Sequence, residues 1–315
     1  MPAEEAGRAI HRLLLDTVLR NENGVRRDLD TEFLHDFRVA TRRARCALAE
    51  MKQVFAAEAV QFLKQELKWL GTTTGPVRDM DVYLLKMDEY RAELPTDAGK
   101  HLEPLNDYLH RHHESERRKL IEALDGDRYR ELVARWKKFV ERRPRDDASC
   151  PNLARPIFSL ASERIWRTYR RVYKDGRAID ATTPADALHE LRIMCKRLRY
   201  LLEFFRSLYP PEPMLQLIGA LKQLQDNLGD FNDFEVQQVK LRTFAEEMHE
   251  EGLASVDSLI AIGSLVQYLR QRQSEERERF AQCFKEFARR RQRALFRELF
   301  KEESMDALVS EELWE

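Results

Sequence analysis

The segment LHDFRVATRRAR (Leu34–Arg45) returns in altered form as LHELRIMCKRLR (Leu188–Arg199), and this repeat constrains the fold more than any other feature of the chain. Aligned without a gap at a shift of 154 positions, Leu34–Val82 falls on Leu188–Val236. His35 lands on His189, Asp36 on Glu190, Arg38 on Arg192, Arg42 on Lys196, Arg43 on Arg197 and Arg45 on Arg199. Further along, Lys68 lands on Lys222, Leu70 on Leu224, Gly75 on Gly229, Asp79 on Asp233, Asp81 on Glu235 and Val82 on Val236. Charge type and register persist together. The expectation is two helical units of one design, each short of the helices needed to bury its apolar face, packed about a pseudo-twofold axis.

Long stretches rich in Leu, Ala, Glu, Lys and Arg, with no sustained period-two alternation, predict an all-α chain. Turn signals such as ENG, TTTGP, YPPEP and NLGD predict helices over 4–22, 31–55, 58–73, 77–93, 98–140, 153–174, 185–208, 213–228, 231–250 and 254–300. The one evident linker, RRPRDDASCPN at 142–152, separates an N-terminal half (1–145) from a C-terminal half (150–300), followed by an acidic tail (301–315). With 315 residues, 43% of them hydrophobic, real cores can form. The formal net charge is only -1, so any basic surface must arise by local segregation, and bulk charge predicts neither a nucleic-acid nor a membrane partner. Cys46, Cys150, Cys195 and Cys283 are scattered without a CxxC pair, which argues against a disulfide framework or a zinc site and for a reducing compartment. No apolar run approaches about 18 residues and the N-terminus reads as an amphipathic helix, so a soluble, cytoplasmic protein is expected.

At about 100° per residue, His35, Arg38, Arg42 and Arg45 fall within about 80° of one another, opposite Phe37, Ala40, Ala44, Ala47, Leu48 and Met51. His189, Arg192, Lys196 and Arg199 repeat the stripe against Leu191, Met194, Leu198, Leu201, Leu202 and Phe205. Lys68 and Lys222 lie on the following helix of each half, where an antiparallel hairpin would carry them towards the stripe. A lone basic stripe is ordinarily a solvated face. Two features oppose that reading: elsewhere the chain interlaces bases with acids, as in QSEERERF, whereas each stripe carries one acid against four bases, and the stripe occurs twice in one register. Two such stripes facing each other would repel unless an anion lay between them, which predicts a polyanion site.

Arg43 and Arg197 sit about 80° off the stripe and are expected to pair with the acids of RDMD (Asp79, Asp81) and NDFE (Asp233, Glu235). Acids at i and i+2 do not share a helix face and no ligand-spaced histidine accompanies them, so helix starts and ion pairs, not a metal site, explain them. His35 and His189 read either as neutral imidazoles hydrogen-bonding at a helix start or as groups that take up a proton beside phosphate. No Ser or Cys nucleophile is repeated with them, so no catalytic residue is assigned. His101, His110, His112, His113 and His249 read as surface residues. Neither stripe carries a stacking side chain, and Phe37, Phe55, Phe204 and Phe205 read as core, so the ligand expected carries phosphates but needs no bases.

LHDFRVATRRAR with LKWLGTTTGPVRDMDV, then LHELRIMCKRLRYLLEFF with LKQLQDNLGDFNDFEV, resembles the CHAD domain, the conserved histidine α-helical domain, over residues 4–300. The resemblance implies two antiparallel four-helix bundles related by pseudo-twofold symmetry around a basic central cavity, and binding of inorganic polyphosphate there. CHAD domains also occur fused to a CYTH triphosphatase-type domain, for which this chain has no room, so it reads as a standalone member. By the same resemblance His35, Arg38, Arg42, Arg45, Lys68, His189, Arg192, Lys196, Arg199 and Lys222 line the polyphosphate site, with Arg43 and Arg197 in support. Arg8 and Arg12, one turn apart on the first helix, would extend the basic surface. Lys196 departs from Arg42 by offering a point charge in place of a planar fork, and TTTG departs from DNLG in a way that would loosen a helix end. The expected protein is a non-enzyme that needs no cofactor and has polyphosphate as partner, with no membrane and no specific nucleic acid. Such a protein is compatible with a homodimer and with association with polyphosphate granules. The alternatives are a metal-dependent phosphohydrolase or triphosphatase, or an RNA-binding helical protein.

Overall fold

Helix α2 (Thr31–Glu50) starts where the Asp30 carboxylate accepts the Glu32 N–H at 2.8 Å, satisfying one of the donors that a helix start leaves open. From there Leu34, Phe37, Ala40, Ala44, Ala47 and Leu48 are buried at helical spacing, and their counterparts Leu188, Leu191, Met194, Leu198, Leu201 and Leu202 are buried in α10 (Ala185–Phe204). The chain is described here by a computed structural model covering residues 1–141 and 149–301. Most of the 142–152 linker and the acidic tail beyond Lys301 therefore lie outside the described residues. Among the described residues the structure is all-helical, with no strand and a single isolated bridge between Pro2 and Pro156.

The 154-position register extends beyond the repeated motif. Helices α1 (Ala3–Arg27), α2 and α3 (Ala57–Thr73) begin 154 positions before α9 (Ile157–Arg177), α10 and α11 (Pro211–Glu250). The copies part after Thr73. In the first, α3 stops and α4 (Gly75–Leu85) begins at once, because Pro76 has no N–H to give the Thr72 carbonyl. In the second, Asp230 replaces that proline and α11 runs unbroken for 40 residues. The separate helices expected at 213–228 and 231–250 are thus one helix, since NLGD carries turn residues but no proline. Other long expected helices are divided: 77–93 at Lys86 into α4 and α5 (Met87–Glu93), and 98–140 into the short α6 (Thr96–Gly99), α7 (Glu103–Asp125) and α8 (Asp127–Glu141), the last two meeting at Gly126. The stretch 254–300 divides at Ala288–Arg289 into α12 (Val256–Phe287) and α13 (Arg290–Phe300).

The chain forms two compact units. One comprises Glu4–Ala154 with Gln237–Leu269; the other comprises Met1–Ala3, Arg155–Val236 and the chain from Arg270 onward. In the first, α2 packs on α3, α4 on α7, and α8 on both α3 and α7. Gly7 of α1 lies where a Cβ would come within 2.5 Å of the Phe55 ring, so only glycine permits that approach. The Tyr90 hydroxyl donates to Gln237 Oε1 at 2.6 Å, and the Tyr108 hydroxyl donates to Glu247. In the second unit α9 packs on α10 and α13, Tyr169 stacks on Phe296 with centroids 3.8 Å apart, and the buried Asn227 amide donates to the Glu276 carboxylate at 2.8 Å.

His113 departs from the surface position expected of it, and His11, for which the sequence raised no expectation, is buried. His113, expected to be exposed, holds the buried carboxylate of Asp81 at 2.9 Å. His11 is fully buried against Trp136 and Phe139, with neither ring nitrogen hydrogen-bonded. Burial, with the like charge of Arg8 adding to it, pushes His11 down to about 3, whereas the Asp81 hydrogen bond raises His113. For His11 the unfolded chain takes up its proton first. Its contribution is complete above the unfolded pKa of about 6.5 and falls by up to about 1.4 kcal/mol per pH unit towards acid. His113 works in the opposite sense, stabilising below the unfolded value and losing that contribution as pH rises through its raised one. Urea unfolding of the His11→Leu variant should therefore lose less stability than wild type between about pH 7 and about pH 5. Equal losses would contradict the buried neutral imidazole.

Candidate phosphate-binding faces

Because α2 buries Phe37, Ala40 and Ala44, the alternate side of the same helix must carry Arg38, Arg42 and Arg45 outward. Arg38 is the innermost of the three. Its Nη1 donates to the Gly71 carbonyl at 2.9 Å and to Thr74 Oγ1 at 2.8 Å, tying the helix face to the end of α3. Burial pushes its pKa down, opposed by the Asp79 charge and reinforced by Arg42 and Arg78, yet a guanidinium so placed stays protonated at neutral pH. Arg42 and Arg45 are exposed, and Arg45 Nη1 lies 3.9 Å from where a Cβ on Gly71 would stand. Lys68, also exposed, is one turn before Gly71 on α3. The structure thus gathers Arg38, Arg45 and Lys68 around the last turns of α3, where the missing side chain of Gly71 leaves room.

On α10 the same register gives a differently supported face. Arg192 Nη2 donates to Asp233 at 3.1 Å, and the Asn232 amide donates to that carboxylate at 3.3 Å while its Oδ1 lies 2.5 Å from His189 Nδ1. With the Asn232 amide donating to Asp233, its Oδ1 is the acceptor that orients the His189 ring through Nδ1. Asn232 has Arg78 as its counterpart, which instead donates to the Thr31 carbonyl at 3.3 Å, so His35 lacks this brace. Arg199 is held at 2.6 Å by Glu203, whose counterpart is Ala49. Lys222 is exposed on α11, and Lys196 is half-buried on α10. The α2 face therefore keeps more uncompensated positive charge than the α10 face.

Two expectations need correction. The acids of the second motif do not serve Arg43 and Arg197 in the way expected: Asp79 acts on Arg38, Asp233 binds Arg192, and Asp81 is held by His113 with Arg78 3.9 Å away. Arg43 and Arg197 are half-buried beside the stripes. Arg8 and Arg12 are engaged elsewhere: Arg8 binds Glu4 and the Phe139 carbonyl, and Arg12 donates to the Val140 carbonyl at 3.0 Å. They neutralise the C-terminal end of α8, where cations are favoured, and do not extend the basic face. Finally, Gly71, Thr74, Asn232 and Asp233 position the cations without being cationic themselves. Such residues carry no repeated positive charge, although the repeat of Asp79 and Asp233 holds the signal for their action on Arg38 and Arg192.

Among the described residues no group of three or more His, Cys, Asp and Glu side chains is close enough to hold a metal ion. No helix among them is long and apolar enough to cross a membrane.

Comparison with known proteins bears on these faces. The fold is similar to the crystal structure of the CHAD domain from the plant Ricinus communis, with a TM-score of 0.74 at 24% identity, covering 90% of this chain and 92% of that one. It is also similar to PptA from Streptomyces chartreusis, with a TM-score of 0.69 at 15% identity, covering 90% of this chain and all of the other. Among curated sequences, the uncharacterized proteins MT2285 and Rv2226 of two Mycobacterium tuberculosis strains are each 29% identical over 213 residues, which is 63% of this chain and 39% of theirs. The chain thus spans well under half the length of those relatives. Residues 9–242, which include both basic helices and both lysines, match the CHAD domain family, and the chain belongs to that family.

Proposed function

We propose that the protein binds inorganic polyphosphate without hydrolysing it, through the basic faces of α2 and α10 together with Lys68 and Lys222. The observation that carries this reading is the recurrence of one arrangement at a 154-position shift: an inner arginine fixed by hydrogen bonds (Arg38, Arg192) beside outer cations on the same helix and a lysine on the next. Arginines held in this way meet phosphate oxygens through charge-assisted, often bidentate, hydrogen bonds. The exposed lysines add point charges that need no fixed direction. Within each unit the cations are spaced along a helix, which suits a linear polyanion of repeated phosphates better than a compact anion. Membership of the CHAD family supports the same ligand. Attachment to polyphosphate granules and a homodimer are compatible with it, and sedimentation with and without polyphosphate tests both.

Titration of defined-length polyphosphate at two salt concentrations should show affinity falling steeply with salt, since each neutralised phosphate releases counterions. The exposed variant Arg42→Ala/Arg45→Ala/Lys68→Ala should weaken binding by about tenfold or more with helicity unchanged. Lys196→Ala/Arg199→Ala/Lys222→Ala should cost less, because Glu203 already neutralises Arg199. Unaltered affinity in the first variant would remove the α2 face from the site. Arg38→Ala is a poorer probe of binding, because it also strips a partner from the Gly71 carbonyl and should destabilise the unit by about 1–3 kcal/mol.

A metal-dependent phosphohydrolase would use the acids of RDMD and NDFE. Asp81 and Asp233 are instead paired with His113 and Arg192, which favours binding over turnover. Incubation of pure protein with polyphosphate and magnesium or manganese should release no orthophosphate above the buffer control; sustained release that scales with protein would establish the enzymatic alternative.

A further inference from the structure

A second basic surface lies on α9 and α13 and has no part in the repeat. Arg167, Arg170, Arg171 and Lys174 recur at i, i+3, i+4 and i+7 on α9, while Arg293 and Arg297 share a face of α13. Together they line an open cavity of about 1120 Å³. At the 154-position shift the four α9 cations correspond to Leu13, Asp16, Thr17 and Arg20, so the first copy keeps only one of these four charges. Glu163 holds Arg167, and Asp175 holds Arg171 at 3.4 Å. Arg170 and Lys174 are exposed and have no ion-pair partner among the described residues.

What sets this groove apart is its aromatic lining. Trp166 and Tyr173 are half-buried at its wall, and Tyr169 lies beneath them, stacked on Phe296. Arg293 Nη1 donates to the Tyr173 hydroxyl at 3.2 Å, and its guanidinium stands 5.9 Å from the Tyr173 ring centroid. The local sequence RTYRRVYK interleaves bases with aromatics, unlike either repeated stripe. A phosphate chain alone would leave those rings unused, and a purely apolar ligand would meet too much charge. Cations for a phosphodiester backbone beside rings on which bases stack are the chemistry of sequence-tolerant single-strand binding.

We infer that the α9–α13 groove binds single-stranded nucleic acid, with Arg170 and Lys174 on the backbone and Trp166 and Tyr173 against bases. The site is separate from the proposed polyphosphate faces, and either can fail without the other. The test is fluorescence anisotropy of a short labelled oligo(dT) or oligo(U) with the full chain at low salt. The Arg170→Glu/Lys174→Glu variant should weaken oligonucleotide binding by about tenfold or more, and Trp166→Leu by about fivefold or more, the loss of one base stack. Both should leave polyphosphate affinity unchanged, and Arg42→Ala/Arg45→Ala/Lys68→Ala should leave oligonucleotide affinity unchanged. Preference between the two oligonucleotides identifies DNA or RNA as the source, and binding of either supports the inference. No binding, or binding indifferent to the groove variants, overturns it, as does equal competition by poly-glutamate, which would mark an acidic-peptide groove. Should Trp166→Leu fail to fold, the exposed Arg170/Lys174 pair decides.

Discussion

Like charges can be held side by side on a helix only when something stronger fixes the helix beneath them. In α2 and α10 that anchor is the apolar side of the same helix. Phe37, Ala44, Leu48, Leu191, Leu198 and Leu202 are all essentially inaccessible to solvent, and each large side chain contributes roughly 1.5–3 kcal/mol by leaving water. Repulsion between solvated arginines about one turn apart is of the order of 1 kcal/mol in water, so core burial wins and the stripe persists without a ligand. Everything proposed for polyphosphate binding depends on that balance, because it holds the cations in place before the anion arrives and reduces the ordering cost of binding.

The two copies solve the remaining problem differently. In the first, α3 ends just before Pro76, and Arg38 meets the Gly71 carbonyl at that helix end. In the second, α11 continues through the corresponding stretch and Arg192 is fixed by the Asp233 carboxylate on that helix. The Gly71 carbonyl orients Arg38 without adding charge, although the Asp79 charge also acts on it, whereas the Asp233 carboxylate both orients Arg192 and offsets part of its charge directly. Glu203 beside Arg199 works in the same direction. The two copies therefore place cations at the same register with different electrostatic surroundings, and the proposed binding assigns the larger share to the α2 face.

Much of this was legible in the sequence because helical periodicity and a gap-free repeat are local, additive signals. The buried side of α2, the exposed stripe and the shared register of the second and third helices in each half follow from spacing, whereas the register shared by α1 and α9 emerges only in the structure. What could not be read depended on partners distant in sequence. Arg8 and Arg12 look like an extension of the basic surface until the end of α8 is seen to take them up. His113 looks solvated until Asp81 is found beside it, and His11 sits in a charged N-terminal sequence yet ends among aromatic rings. NLGD resembles a turn, but without a proline the α-helical hydrogen bonds run through it. The groove on α9 and α13 is not legible from the repeat for a different reason: its interleaved bases and aromatics belong to one half alone.

Residue-resolved covalent footprinting of lysines and arginines, with and without long-chain polyphosphate, tests the central claim most directly. The account predicts selective protection of Arg42, Arg45, Lys68 and Lys222, lost at high salt, with Arg12 and Lys119 labelled equally in both states. Uniform protection across the surface, or protection that spares α2 and Lys68, would contradict it.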